Sequence, residues 1–303
     1  MDLTLRQLRT LREVAVRGTI AAAATSLGYT ASAASQQIAA LERATGRPVL
    51  ERVGRGVQLT DAGLALVRHA DEVLGKVEEA QASLEALDDE PAGTVRISTF
   101  ESFASALMPE LVRRLAIEHP RVALRSTQLD PDVSVEALLS GAVDIALVLD
   151  YPHAPSPRPR GAHQETVLVE PFRLAVPHDH PFVGPVDLST LSDEPFVAGT
   201  PESSCRRCIV GACREVGFEP DVHHEIDNLP ATLRLVAAGA GITLLPELAL
   251  HDCPPGVRLL ELVQPIRRSI EVAYRDASSN RPTVRAVLDA IAEITTTAEL
   301  TAA

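Results

Sequence analysis

Leu5, Leu8, Leu11 and Val14 recur at about three-residue spacing, with Arg6, Arg9, Arg12 and Arg17 between them. That pattern predicts an amphipathic helix ending near Gly18. Thr19 is placed to cap a second helix, Ile20 to Leu27, dense in alanine and closed by Gly28. Thr30 can cap a third, from about Ala31 to Thr45, with Gly46 behind it. This third helix carries Ala34, Ile38 and Leu41 on one face and Ser32, Ser35, Gln36 and Gln37 on the other. The turn Gly28-Tyr29-Thr30 joins the two into a helix-turn-helix, with the polar face suited to base edges in a major groove. A polar helical hairpin alone is more often a structural element than a DNA reader. The sequel tips the balance. Arg47 to Arg52, then Val53-Gly54-Arg55-Gly56, then Val57 to Leu59 predict a two-stranded wing around a Gly-Arg-Gly turn. Arg52 and Arg55 stand at its tip, placed for phosphate or minor-groove contact. The candidate DNA contacts are Thr30, Ser32, Ser35, Gln36, Gln37, Arg52 and Arg55.

Beyond Thr60, Leu66, Ala70, Val73, Val77, Ala80, Leu84 and Leu87 alternate at four- and three-residue steps. They predict a long helix with an a/d seam. It either packs into its own domain or pairs with a second chain. Asp88 to Gly93 is a polar linker containing Pro91. From Thr94 the texture turns to alternating strands and helices. Strands are expected at Val95–Ser98, Val122–Thr127 and Val143–Leu149, and helices at Leu107–Glu118 and Val133–Ser140. A second set follows: extended Val167–Val176, helical Cys205–Val216, extended Val222–Ile226, helical Leu229–Ala238 and extended Ile242–Leu245. Strands Val257–Leu262 and Ile270–Tyr274 and a closing helix Val284–Ile294 complete the chain. Such alternation implies an open α/β sheet, mainly parallel.

Charge sharpens the picture. Overall the chain carries −13, but residues 1–60 hold eight Arg against four acids, giving +4, and the remainder carries −17. A basic head on an acidic body is expected of a DNA-reading module joined to something else. No stretch approaches a membrane span of ~18 apolar residues, and the first residues do not read as a secretory signal. Four Cys are too few for a disulfide scaffold, so a cytoplasmic location is expected. An enzyme is not expected. Gly239-Ala240-Gly241 precedes a strand instead of following one, and there is no phosphate loop or G-x-S-x-G elbow.

Three stretches together resemble the N-terminal signature of LysR-type transcriptional regulators. They are Ala23-Ala24-x-x-Leu27, the run from Ser35-x-Gln37-Ile38 through Leu41-Glu42, Gly46, Leu50 and Arg52, and Leu59-Thr60-x-Ala62-Gly63. The chain departs from that pattern at Ala31-Ser32, where Gln-Pro is usual, and at Gln36, where Arg is usual. An amide at Gln36 favours adenine over guanine. Weaker markers continue the likeness: Glu170-Pro171, His178 to Pro181, and Leu235 to Pro246. The resemblance implies a winged helix-turn-helix (1–60), a dimerising linker helix and hinge (61–90) and an effector-binding domain (91–303). That domain would have two Rossmann-like lobes similar to type 2 periplasmic binding proteins, lobe 1 being 91–164 and 268–303 and lobe 2 being 165–267. It further implies double-stranded DNA, a small-molecule effector and a homodimer as partners, with a homotetramer and RNA polymerase contact beyond that. No cofactor and no metal are implied.

Ligands of open α/β sheets bind beyond the carboxyl ends of the strands. The matching positions are Thr99, Phe100 and Ser102, and Thr200, Ser203 and Ser204. These hydroxyls either cap helices or touch an effector. Helix N-termini favour a carboxylate, whereas Asp130 and Asp150 would repel one and select a neutral or cationic ligand. Cys205, Cys208 and Cys213 share a helical face. Peroxide-sensing members of the family use a Cys pair in this region, so a thiol-based redox regulator is the alternative function. His178 and His180 lie in a loop that the family uses structurally.

Overall fold

The computed structural model describes residues 2–302 except 54, 55, 88, 89, 157 and 160. Arg55 and the linker residues Asp88 and Asp89 therefore lie outside the described residues. The three N-terminal helices form as expected: α1 (Leu5–Arg17), α2 (Ile20–Ser26) and α3 (Ala31–Thr45). Thr4, Thr19 and Thr30 each accept a hydrogen bond from a first-turn amide, and Gly18 and Gly46 close α1 and α3 in the left-handed conformation. Leu11, Val14, Ala23, Ile38, Leu41 and Val49 form the core of this head. The wing strands β1 (Leu50–Val53) and β2 (Gly56–Leu59) pair antiparallel, with Arg52 opposite Val57. Glu42 fixes the wing to α3 by accepting from the amide of Val49 at 2.9 Å.

Thr60 caps α4 (Asp61–Glu85), the long linker helix. Its first turn crosses the wing so closely that a Cβ on Gly63 would sit 2.1 Å from the Val49 carbonyl oxygen, which only glycine avoids. The periodic seam is divided between two surroundings. Leu66 packs on the head and Ala70 is buried, whereas Val73, Leu84 and Leu87 are 42%, 67% and 79% exposed. A neighbouring face, with Leu74 and Ala82 buried, packs into the same chain.

The rest is built from β3 (Gly93–Thr99), α5 (Glu101–Ala106), α6 (Met108–Glu118), β4 (Val122–Gln128), α7 (Pro131–Leu139), β5 (Ile145–Asp150) and β6 (Ala162–Pro177). Then come β7 (Pro195–Ala198), α8 (Ser204–Glu215), β8 (Asp221–Glu225), α9 (Leu229–Ala237), β9 (Thr243–Pro246), β10 (Val257–Leu260), β11 (Arg267–Arg275) and α10 (Pro282–Ala302). The sheet is mixed, which corrects the mainly parallel expectation. β3 pairs parallel with β4 and β5, but β11 is antiparallel to β5 and β6, and β6 is antiparallel to β9 and β10. β7 and β8 form a separate parallel pair. Strands β6 and β11 carry the chain between the lobes and back, and returning strands pair antiparallel with their neighbours. The ladder between β6 and β11 continues to Pro171, so β6 changes lobes there and not at 165. Residues Ile145 to Val148 of β5 are fully buried because helices cover both faces, α7 on one side and α10 on the other. Two elements escape the sequence pattern. α5 has six residues and no side-chain cap, and β7 has four.

Asp144, 1% exposed, joins these parts. It accepts from the Arg96 amide at 2.9 Å and Nε at 3.2 Å, from Arg281 Nη1 at 3.3 Å, and pairs with Arg275 at 3.5 Å. Arg275 also donates to Glu78 of α4 at 2.9 Å, and Arg281 donates to Glu85 of α4 at 3.1 Å. Arg12 of α1 donates to the Ser140 carbonyl, at the end of α7, at 2.6 Å. Burial lowers the pKa of Arg12, against the pull of Asp71 and Glu78. Removing one member of a buried ionic network leaves the others uncompensated. Asp144→Asn is therefore expected to cost about 3 kcal/mol or more of folding free energy, read as a lowered urea midpoint. An unchanged midpoint would show that Asp144 is not the organising charge.

Candidate DNA interface and effector cavity

The third helix presents the predicted faces. Ala34, Ile38 and Leu41 are buried, while Ser32, Ser35 and Gln36 are exposed at the three- and four-residue spacings that place them side by side. Gln37 is half-buried, turned towards the core side of that face. Thr30 is exposed and its hydroxyl accepts from the Ala33 amide at 3.2 Å, leaving its proton free to donate. Arg52 is exposed on β1. Arg43 is exposed seven residues beyond Gln36, on the same helical face. It was absent from the sequence-derived set, although the spacing alone placed it there. The basic head is less free than its charge count. Arg12 reaches into the neighbouring lobe, Arg17 pairs with Glu13 at 3.5 Å, and Arg6 lies over the Tyr29 ring at 5.6 Å.

A cavity of about 450 Å³ lies between the lobes, where loops after β3, β4 and β7 meet the starts of α7, α8 and α9. Phe100, Ser102, Thr200, Ser203 and Ser204 line it, as the topology predicts. Thr99 does not. Its side chain is 3% exposed and its hydroxyl donates to the Phe100 carbonyl at 3.4 Å. Successive strand residues face opposite sides, so when Phe100 turns to the cavity Thr99 turns away. Asp130 lines the cavity as well, whereas Asp150 accepts from the Ser156 amide instead.

The chemistry at the base was not in the sequence-derived set. Arg268, 4% exposed, donates to Glu170 at 2.7 Å, to the Ser102 hydroxyl at 2.8 Å and to the Tyr151 hydroxyl at 3.3 Å. Its guanidinium also lies 5.4 Å from the Phe100 ring centre. Burial disfavours its charge, but Glu170 and Tyr151 more than compensate and hold its pKa above the ordinary value. Glu170 additionally accepts from the Leu248 amide at 2.5 Å. The sequence signal was two adjacent arginines, Arg267 and Arg268, ahead of the apolar stretch from Ile270, legible as charge but not as an ion pair. From the rim, Glu101 of α5 accepts from the Leu229 amide of α9 at 3.5 Å, and Asp227 accepts from the Thr200 amide at 3.0 Å.

All four cysteines are free. Cys205 lies on the cavity wall, where burial pushes its thiol up to about 11 despite Arg268 and Tyr151 nearby. Burial pushes Cys208 and Cys213 up to about 12. His180 faces Glu194 at 3.4 Å. Among the described residues no group of three or more His, Cys, Asp and Glu side chains is arranged to hold a metal, and no helix is long and apolar enough to cross a membrane.

Residues 5–64 match the family model described as "Bacterial regulatory helix-turn-helix protein, lysR family", and residues 88–295 match "LysR substrate binding domain". The transcriptional dual regulator GltC of Bacillus subtilis is 31% identical over 256 residues, covering 83% of each chain. A full-length OxyR variant from Pseudomonas aeruginosa superposes with a TM-score of 0.72 at 20% identity, covering 97% of this chain and 95% of that one. The regulator CbnR, solved with its target DNA, superposes with a TM-score of 0.58 at 23% identity, covering 97% and 100%.

A thiol with a raised pKa is protonated at neutral pH and gains reactivity only as pH approaches that value. Native Cys205 is expected to alkylate at pH 7 about two orders of magnitude more slowly than an unfolded cysteine, with the rate climbing towards pH 11. Peptide mapping after iodoacetamide treatment across a pH series checks this. Equal labelling of native and unfolded protein at pH 7 would contradict it.

Proposed function

Because the chain belongs to the LysR family of transcriptional regulators, we propose that it reads an operator through α3 and the wing while a small molecule in the inter-lobe cavity sets its state. The proposed division follows the chain: residues 1–60 bind DNA, 61–90 link and dimerise, and 91–303 sense. The observation that carries the reading is the exposed face of α3, where Ser32, Ser35, Gln36 and Arg43 stand over an apolar core. In this assignment Ser32, Ser35 and Gln36 contact base edges, with Gln37 at the margin and Arg43 beyond. In the same assignment Thr30, Arg52 and Arg55 hold phosphates. Promoter DNA places the protein in the cytoplasm.

The exposed seam of α4, Val73 and Leu84, continued by Leu87 just beyond it, supports a homodimer. Paired readers then reach half-sites about 34 Å apart. We extend this to a homotetramer and to contact with RNA polymerase on the family pattern. A ligand alters DNA binding only if it prefers one arrangement of the lobes and linker helices over another. A thiol-based regulator is the second reading. What favours it is the position of Cys205 on the cavity wall beside Arg268. Its test is peroxide titration of free thiols alongside operator affinity. Loss of thiol at Cys205 with altered affinity would promote it, and unchanged affinity would remove it.

Fluorescence anisotropy on the DNA upstream of the coding region, against scrambled DNA of equal length at two salt concentrations, tests the main reading. Tight, salt-sensitive, sequence-selective binding is expected, and equal affinity for both duplexes would overturn it. Gln36→Ala should narrow the preference for operator over scrambled DNA by ~1 kcal/mol or more. Arg52→Ala should weaken both and lower the salt slope by about one. In sedimentation, Leu84→Glu should shift dimer to monomer, and an intact dimer would exclude α4 as the interface.

A further inference from the structure

The charges around the cavity identify the class of effector, an inference that rests on the sensing role proposed above. Three helices of eight residues or more start at its wall, α7, α8 and α9. Helix starts ordinarily attract anions through unpaired N–H groups. Here part of that capacity is taken from within, and a carboxylate stands at or next to each N-cap. Asp130 is the N-cap of α7, its carboxylate making no capping hydrogen bond, and Pro131 offers no N–H. Glu202 precedes the N-cap of α8, and Ser203 accepts from Arg206 N at 3.5 Å. Asp227 precedes the N-cap of α9 and holds the Thr200 amide, while Glu101 takes the Leu229 amide and Asn228 takes that of Ala231.

Four carboxylates therefore line one cavity: Glu101, Asp130, Glu202 and Asp227. None of them has an ion-pair partner among the described residues. Among the described residues Arg268 is the one lining cation, and Glu170 neutralises it from behind. Of the arginines beside α8, Arg206 is engaged by Glu225 at 2.5 Å and by the Gly199 carbonyl at 3.0 Å. Arg207 donates to the Glu202 backbone carbonyl, not to its side chain. An anion entering this space would meet a net negative field, with a carboxylate at or beside each helix start. A cation would meet carboxylates from both lobes, Glu101 and Asp130 from one and Glu202 and Asp227 from the other, at separations inside one cavity where salt screens only in part. Phe100, Leu129, Val133, Leu149, Ile209 and Leu244 supply an apolar wall beside them.

We propose that the effector is an organic cation, an amine or guanidine on a compact apolar body, seated with its charge among the carboxylates and its body on this wall. Binding neutralises like charges that face each other across the cleft and so draws the lobes together. The neutral partner of each amine lacks this gain, and the acid incurs a penalty.

The test uses the full chain and compounds matched in skeleton: 2-phenylethylamine, 2-phenylethanol and phenylacetate, then hexylamine, hexanol and hexanoate. Calorimetric titration should show the amine of each set binding at least about tenfold more tightly than the acid, with the alcohol between. The preference should shrink as ionic strength rises. In the Asp130→Asn, Glu202→Gln double variant, checked for fold by its affinity for operator DNA, the amine should lose most of its advantage over the alcohol. An acid that matches its amine overturns the inference, as does an amine advantage that survives in the variant or the absence of amine binding up to about 10 mM. Operator binding without any ligand is scored separately, so failure of the cation assignment leaves the DNA-reading function standing. Failure of both assays would remove that function as well.

Discussion

A buried carboxylate cannot stand alone in a protein interior, and Asp144 shows what its needs impose. Arg96, Arg275 and Arg281 converge on it, and the last two also grip Glu78 and Glu85 of the linker helix. Three acids and three bases thus form one neutral group tying strands, α7 and the linker together. The linker is held against the sensor by charge satisfaction, with apolar burial at Leu74 and Ala82 beside it. Such a joint has few intermediate positions, because shifting the helix would strand Arg275, which also donates to the Leu138 and Val143 carbonyls. Packed elements with discrete arrangements are what coupling between distant sites requires.

Strand β11 makes the connection physical. Arg268 stands at the base of the cavity and Arg275 holds the linker, seven residues along the same strand, about 23 Å at ordinary strand rise. Both are buried and both are held by acids from other elements. One strand thus holds the partner of Glu170 at one end and the partner of Glu78 at the other. Arg12 adds a third point of attachment, joining the head to the end of α7 through the Ser140 carbonyl. Head, linker and sensor are therefore in mutual contact within one chain.

The head separates its two tasks by helical face. Its stability comes from caps and a small apolar core, and its exposed face is left to short polar side chains and Arg43. The long helix makes a similar division, one face buried in its own chain and another, with Val73 and Leu84, left exposed. The acidic remainder of the chain, carrying −17 against +4 for residues 1–60, repels a polyanion that approaches anywhere but the head.

Local periodicity determined most of what was legible in advance. The caps Thr19 and Thr30, the buried triad of α3, the two-stranded wing and the approximate length of α4 all follow from interactions within a few residues, and sequence displays those directly. The cavity hydroxyls Ser102, Thr200, Ser203 and Ser204 were legible because loop positions after strands are fixed by topology. Thr99 was misplaced because one residue of strand alternation decides which side a hydroxyl faces, and the strand's end is not marked in sequence. Strand direction and the lobe crossing at Pro171 escaped because pairing joins residues that lie far apart along the chain. Arg268 with Glu170, Arg275 with Glu78, and Arg12 with Ser140 are separated by 98, 197 and 128 residues. Sequence shows each charge but not its partner, and in a low-dielectric interior the partner decides whether a charge is free to bind or already held. Only the tertiary structure made that decision, because only there do the two come within hydrogen-bonding distance.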